Sequence, residues 1–307
     1  MVLFIKKLKT EFSSLSEKNP KVAVLLAAYN GMHWLREQME SILSQKNVLL
    51  TVFVSVDVSV DGTAEFFYDF EKNNESVVML PYGHVFGGAS ANFFRLIRDV
   101  DFSDYDAVAF SDQDDVWFPD KLARAWERIH VDGFDVYSSN VVAMWRDGRR
   151  RLVEKSWQQK DLDYFFEAAG PGCTYVFSQA AILDFKNFVN ASCEALKDVK
   201  FHDWLAYAYC RSRGMKWCID KKPSMYYRQH ESNQIGANHG WGAWSARWKM
   251  LRSKSFRKQV NLIASLVSPE RVRDISDNLF LLKNCSQLRR RPRDAFFLFL
   301  LILFGVY

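Results

Sequence analysis

The chain has 307 residues, 49% of them hydrophobic and 25% charged, with 41 Lys+Arg against 36 Asp+Glu and a net charge of +5. That length supplies a core for one large domain, or one domain with an appendage. Ordinary charge content without low-complexity tracts excludes a disordered protein.

The charge is unevenly placed. Residues 245–307 hold 13 basic and 4 acidic side chains, so a strongly basic tail follows a mildly acidic body. The first nine residues put an apolar run before their lysines, the reverse of a secretory signal, and predict no export. The five cysteines, Cys173, Cys193, Cys210, Cys218 and Cys285, form no Cys-x-x-Cys pair. Neither a disulfide framework nor a zinc ribbon is indicated, and reduced thiols in a cytosolic protein are expected.

Residues 22–28 (VAVLLAA) are a continuous apolar run, as a strand buried on both faces requires. Leu35, Met39, Ile42 and Leu43 recur at helical spacing over 32–43. Residues 49–56 predict a second strand with a helix from about Gly62, and 77–80 a third with a helix over 89–98. A fourth strand is expected at 107–110, followed by a helix opened by Pro119, and a fifth at 134–138. This alternation predicts an α/β fold with a parallel sheet and right-handed crossovers. Ligands of such sheets bind beyond the carboxyl ends of the strands, so chemistry is expected at the loops beginning at Tyr29, Asp57 and Ser111. Residues 141–230 are less regular and rich in aromatics, and the chain turns helical and basic after Trp241.

The loop after the fourth strand reads Ser111-Asp112-Gln113-Asp114-Asp115. Carboxylates this close repel unless a cation or ligand donors compensate, and hard oxygen ligands on a short loop suit Mg²⁺ or Mn²⁺. An acidic turn that only complements a following helix dipole explains the same residues. Asp61 is expected to cap the helix at Gly62. Asp203, in Phe201-His202-Asp203-Trp204, opens a predicted helix where a cap is the plain reading. Arg228 and His230 crowd together after Pro223.

In order and spacing, three segments resemble glycosyltransferase family 2, whose members have the GT-A fold: Tyr29-Asn30, Asp57-x-Ser59-x-Asp61-Gly62-Thr63, and Asp112-Gln113-Asp114-Asp115-Val-Trp-Phe-Pro119-Asp120. Gly170-Pro-Gly172-Cys173, His202-Asp203-Trp204 and Tyr227-Arg228-Gln229-His230 are similar to its bacterial rhamnosyltransferase-like branch, which builds surface polysaccharides. The resemblance covers roughly residues 21–235. It implies a Rossmann-like, mostly parallel sheet flanked by helices in a 21–240 catalytic domain, with a 1–20 tail and a basic helical 241–307 appendage.

For the site, the resemblance implies that Tyr29 stacks on the nucleotide base, Asp57 bonds its edge and Asp112 lies near the ribose. Asp115 would face the donor sugar. Ala27, Asn30, Gln113 and Arg228 complete the implied nucleotide-sugar contacts. Asp114 and His230 are the implied metal ligands for Mn²⁺ or Mg²⁺, and Asp203 matches the family's catalytic base. Val56 and Val58 stand where relatives usually have Asp and Gly, so the base pocket is less polar than the family's. Trp244-Ser-Ala-Arg247-Trp248 only partly echoes a motif of processive synthases, and a non-processive enzyme is expected.

The activity implied is inverting transfer of a sugar, rhamnose among the options, from a nucleoside-diphosphate donor to a lipid-linked or polysaccharide acceptor. A single in-line displacement needs charge stabilisation on the leaving oxygens and a base on the opposite side. The alternative is a catalytically silent membrane-surface adaptor that keeps the fold, which the valines at 56, 58 and 60 favour. Nucleic-acid binding through the basic tail is not expected, because the body is acidic and the chain ends in an apolar run. That run, 295–307, is shorter than the about 20 residues a spanning helix needs. Preceded by Arg289, Arg290, Arg291 and Arg293, it is expected to attach peripherally to the anionic inner membrane face, each Arg contributing roughly 1 kcal/mol. A terminal helix buried in the core is the other reading.

Overall fold

The computed structural model describes residues 19–230 and 255–307. The apolar-then-basic start of the chain and the 244–248 segment lie outside the described residues. Strand β1 (Lys21–Ala28) is buried from its second residue onward. Ala23, Leu25 and Ala27 enter one hydrophobic cluster, while Val22, Val24, Leu26 and Ala28 enter another on the opposite face. Side chains of a strand alternate between faces, so burial on both faces demands the unbroken apolar run.

Around β1 lie β2 (Leu49–Val56), β3 (Val77–Met79) and β4 (Ala107–Ser111); β1 pairs in parallel with β2 and β4, and β2 with β3, with Ala28 opposite Val56 and Leu26 opposite Ser111. The connecting helices are α1 (Met32–Leu43), α2 (Thr63–Lys72), α3 (Ala89–Asp99) and α4 (Lys121–His130). Helices α1, α2 and α4 cover one face through Leu35, Met39, Phe67, Leu122 and Ala125; α3 covers the other through Phe93, Leu96 and Ile97. Each such buried side chain contributes on the order of 2 kcal/mol.

The seven-stranded sheet runs β10-β6-β9-β4-β1-β2-β3, with β6 (Val136–Ser139), β9 (Val176–Ser178) and β10 (Trp217–Asp220) completing it. Between β4 and β6, β9 runs antiparallel, so the sheet is mixed rather than wholly parallel. Three residues are too few to show a periodicity, and this strand was not visible in the irregular middle of the chain. A second sheet in the order β5-β11-β7-β8 contains β5 (Val116–Trp117), β7 (Val141–Trp145), β8 (Arg150–Val153) and β11 (Met225–Gln229). Helices α5 (Gln179–Ala191) and α6 (His202–Ser212) join the α3 side. All five cysteines are free.

The C-terminal helices are α7 (Ser255–Val267), α8 (Val272–Ser276), α9 (Asn278–Lys283) and α10 (Pro292–Leu303). They pack on the sheet's α3 side: Val260, Ile263, Leu281, Leu298 and Ile302 share a cluster with Phe165, Phe166 and Leu205. The expectation for the arginine flank needs correction at two positions. Arg290, only 4% exposed, pairs with buried Asp163 at 3.1 Å and with Glu167, and Arg289 donates to the Phe166 carbonyl. These two side chains neutralise carboxylates inside the protein, where an unpaired charge is costly. Arg291 and Arg293 are exposed. The apolar run is also divided. Ala295, Leu298, Leu301 and Ile302 are buried, whereas Phe296 is 63% and Phe304 73% exposed, with Leu303 beside them. Among the described residues, no helix is long and apolar enough to cross a membrane.

Candidate active site

Parallel pairing brings the carboxyl ends of β1, β2 and β4 side by side, and the loops that leave them are tied together. Tyr29 donates its backbone N–H to Gln113 Oε1 at 2.7 Å and accepts from Gln113 Nε2 at 2.9 Å, a reciprocal amide clamp across 84 residues. Gly31 permits the approach: a Cβ there would sit 2.3 Å from Gln113 Oε1. Asn30 adopts a positive φ of 45°, tolerated by its short polar side chain, and Asn30 Oδ1 accepts from Val60 N at 2.9 Å. Asp61 accepts from Thr63 N and Thr63 Oγ1 and also from Met32 N, so it caps α2 and braces α1. The ring of Tyr29 is 56% exposed above this clamp, open to a planar ligand. Ala27 lies beneath, in the core.

Two further residues of the implied donor set are anchored by backbone amides. Asp57 is buried, and its carboxylate accepts from the amides of Val58, Phe86 and Gly87, which pins the loop before α3. Asp115 is fully buried, with Oδ1 accepting from Arg228 N at 3.1 Å and the Cys173 thiol beside its carboxylate. Asp112 faces outward in part. Burial pushes its carboxyl up to about 7, the charge of Asp114 adds to this, and Asp203 contributes at longer range.

The second sheet delivers the remaining groups. Antiparallel pairing of β5 with β11 sets Met225 opposite Trp117 and Tyr226 opposite Val116, which carries the end of β11 over the acidic loop. There His230 Nε2 lies 2.7 Å from Asp114 Oδ2, and Arg228 Nε donates to the Asp114 carbonyl at 2.9 Å. Trp34 of α1 orders both: its ring stacks on His230 at 5.4 Å, and the Arg228 guanidinium lies 4.5 Å from it. Sequence reasoning missed Trp34, because a tryptophan on an amphipathic helix has no signature of its own.

Asp203 stands in the first turn of α6, its Oδ1 accepting from Trp204 N at 2.8 Å. Burial raises its carboxyl to about 6 against those backbone donors and nearby Lys155, which pull it down. The preceding His202 is a core residue stacked 3.9 Å from Phe93, held neutral by burial with its pKa down to about 3. Gly172, in the 3₁₀ turn Gly172–Thr174, touches this helix start closely. A Cβ at Gly172 would sit 2.9 Å from Asp203 Cβ and 3.0 Å from His202 Nε2.

The residues fit a divalent cation. An acidic loop with a carboxylate–imidazole pair, a raised Asp112 and a fully buried Asp115 is the electrostatic situation a cation relieves. Oxygen donors with one imidazole suit Mn²⁺ or Mg²⁺. Asp112, Asp115 and the Cys173 thiol form a neighbouring cluster, their ligand atoms within 4.8 Å of one another.

A doubly covered mixed sheet with an acidic loop and a separate partly buried carboxylate at its carboxyl edge defines a sugar-nucleotide transferase of the GT-A type. The model of glycosyl transferase family 2 matches residues 23–183, and the chain belongs to that family. It is 41% identical over 289 residues to the dTDP-rhamnosyl transferase RfbG of Shigella flexneri, covering 92% of this chain and all of the relative. Among solved structures, S. aureus TarS in complex with UDP-GlcNAc superposes with a TM-score of 0.57 at 15% identity, covering 87% of this chain and 73% of that one. The mannosyltransferase PcManGT of Pyrobaculum calidifontis, in complex with GDP-Man and Mn²⁺, gives 0.53 at 14% identity over 95% and 82%. These likenesses establish the GT-A fold.

Proposed function

We propose that the protein is an inverting, non-processive rhamnosyltransferase. It moves rhamnose from a dTDP-linked donor to a hydroxyl of a lipid-linked or surface-polysaccharide acceptor. The observation that carries this reading is the pairing, at one sheet edge, of a cation-type site at Asp114 and His230 with a base-type carboxylate at Asp203. Identity to a dTDP-rhamnosyl transferase along nearly the whole chain supports the choice of donor.

Tyr29 stacks on the base, with its backbone held in place by Gln113. Asp112 takes the ribose side. Arg228, held by Trp34 and the acidic loop, supplies positive charge near the diphosphate. Asp114 and His230 hold Mn²⁺ or Mg²⁺, which supplies charge neutralisation for the departing diphosphate. Asp203 takes the proton of the acceptor hydroxyl as its oxygen attacks the anomeric carbon and the carbon–oxygen bond to the diphosphate breaks. One displacement inverts that carbon.

The catalytic domain spans residues 21–240, with 241–307 as an appendage. The exposed Phe296, Leu303 and Phe304, with Arg291 and Arg293 beside them, form the contact with the anionic inner membrane face. Transfer is measured with dTDP-rhamnose, UDP- and GDP-sugars and a lipid-linked acceptor, with and without Mn²⁺, and the product anomer is read by NMR. Metal-dependent turnover with inversion is expected. Retention of configuration, or no donor-dependent turnover or thermal shift, overturns the reading; the latter result leaves the silent adaptor.

A further inference from the structure

Lys121 has no part in the chemistry above, yet it is fully buried at the start of α4. Its ammonium donates to the Cys173 carbonyl at 2.6 Å and lies 3.1 Å from the centroid of the Trp117 ring. The carboxylates of Asp112 and Asp115 act on it from the acidic loop. Burying an ammonium is expensive: burial pulls this amine down to about 7, while the charges of the acidic loop, one backbone carbonyl and one aromatic face act in its favour. The accepting carbonyl belongs to the Gly172–Thr174 turn. That turn also meets Asp203, with an added Gly172 Cβ only 2.9 Å from Asp203 Cβ. Lys121 therefore bears on both halves of the site: on the acidic loop through charge, and on the turn against the base through its hydrogen bond to the Cys173 carbonyl.

We propose that Lys121 is a positioning residue: through the Cys173 carbonyl it holds the Gly172–Thr174 turn against α6, and so sets the separation between Asp203 and the 112–115 loop. An in-line displacement needs base and leaving-group site in register, and a misplacement of about 1 Å costs on the order of 10²-fold in rate. The inference rests on Asp203 as the base and the acidic loop as the diphosphate site.

The test compares Lys121→Met, Gly172→Ala and the double variant. Thermal melting verifies the fold, and kcat, donor KM and the Mn²⁺ midpoint are measured. Lys121→Met is expected to lower kcat about 10²-fold, with donor KM and the Mn²⁺ midpoint within about threefold of wild type. The double variant should lose less than the product of the single losses, because both act through one turn. A folded Lys121→Met with wild-type kcat overturns the proposal. So does a loss confined to donor KM or the Mn²⁺ midpoint, which would mean that Lys121 serves only the charge of the acidic loop. Fully multiplicative losses overturn it as well. If Lys121→Met does not fold, Trp117→Leu keeps the ammonium and removes its aromatic support; the same kcat loss is expected, and wild-type kcat is the contrary result. Asp114→Asn and Asp203→Asn serve as controls. Activity retained in both defeats the reading of the site itself, whereas activity lost in both with Lys121→Met unimpaired defeats only the positioning role.

Discussion

His230 Nε2 lies 2.7 Å from Asp114 Oδ2 although 116 residues separate them in the chain. The pairing of β5 with β11 makes the meeting possible, and Trp34 orients the imidazole from a third element. A carboxylate and an imidazole so placed suit the two ligands proposed above for a divalent cation.

Mn²⁺ is therefore expected to raise the melting temperature of the wild type and not of Asp114→Asn. His230→Ala should weaken the metal midpoint about 10- to 100-fold, and Asp114→Asn should lower kcat about 10²- to 10³-fold. Titration calorimetry with Mn²⁺ and turnover after EDTA treatment check both.

Asp203 predicts the acid limb of the rate profile. Its carboxyl is raised by burial to about 6, so below that pH the folded protein carries it protonated and the proposed base would be lost. Rates should fall about tenfold per pH unit below 6. Asp203→Asn should lose about 10²- to 10⁴-fold and flatten the limb. A pH–rate profile with an unshifted limb near 4 would contradict the assignment.

The same shift has a consequence for stability. A carboxyl whose folded pKa lies above its unfolded value stabilises the fold at low pH, and that contribution is lost as pH rises through the folded value. Between about pH 4 and 6 for Asp203, and up to about 7 for Asp112, the metal-free protein should lose stability. At pH 8, Asp203→Asn should be more stable than wild type by on the order of 1 kcal/mol. Urea unfolding at pH 5 and pH 8 measures it.

Gly31→Ala would thrust a methyl group against the Gln113 carboxamide and open the clamp on Tyr29. A loss of about 1–2 kcal/mol of stability is expected for the two broken hydrogen bonds. Donor KM should rise more than kcat falls, because the affected ring is the one proposed to stack on the nucleotide, away from the reacting carbon. Steady-state kinetics separates the two.

Removing residues 289–307 would take away Arg290 and leave Asp163 buried without one of its partners, at a cost of about 3–5 kcal/mol. Membrane contact is better tested with Phe296→Ser and Phe304→Ser, both on the exposed side of α10. These variants should keep the melting temperature and lose co-sedimentation with anionic liposomes. Unchanged co-sedimentation would remove that face as the contact.

Much of this protein was legible in its amino-acid order because the responsible physics is local. An apolar run needs two covered faces, so β1 and β2 declared a buried sheet. Helical spacing placed α1 at residues 32–43, and motif order along the chain pointed to the family. Acidic residues clustered after β4 announced a cation-type loop, and His202-Asp203-Trp204 marked a helix start. What tertiary structure alone decided are the relations that no local pattern encodes. Asp115 gives one oxygen to a backbone amide of β11, and Asp57 gives both of its oxygens to amides of the loop before α3. The basic run at the start of α10 divides into two inward arginines and two outward ones, because Asp163 and Glu167 lie beneath it. Lys121, like any lysine in an amphipathic helix, looks like a surface residue until packing places its ammonium between a tryptophan ring and a carbonyl 52 residues away. Local spacing dictates elements; which charge meets which partner depends on contacts between distant segments, and those exist only once the chain has packed.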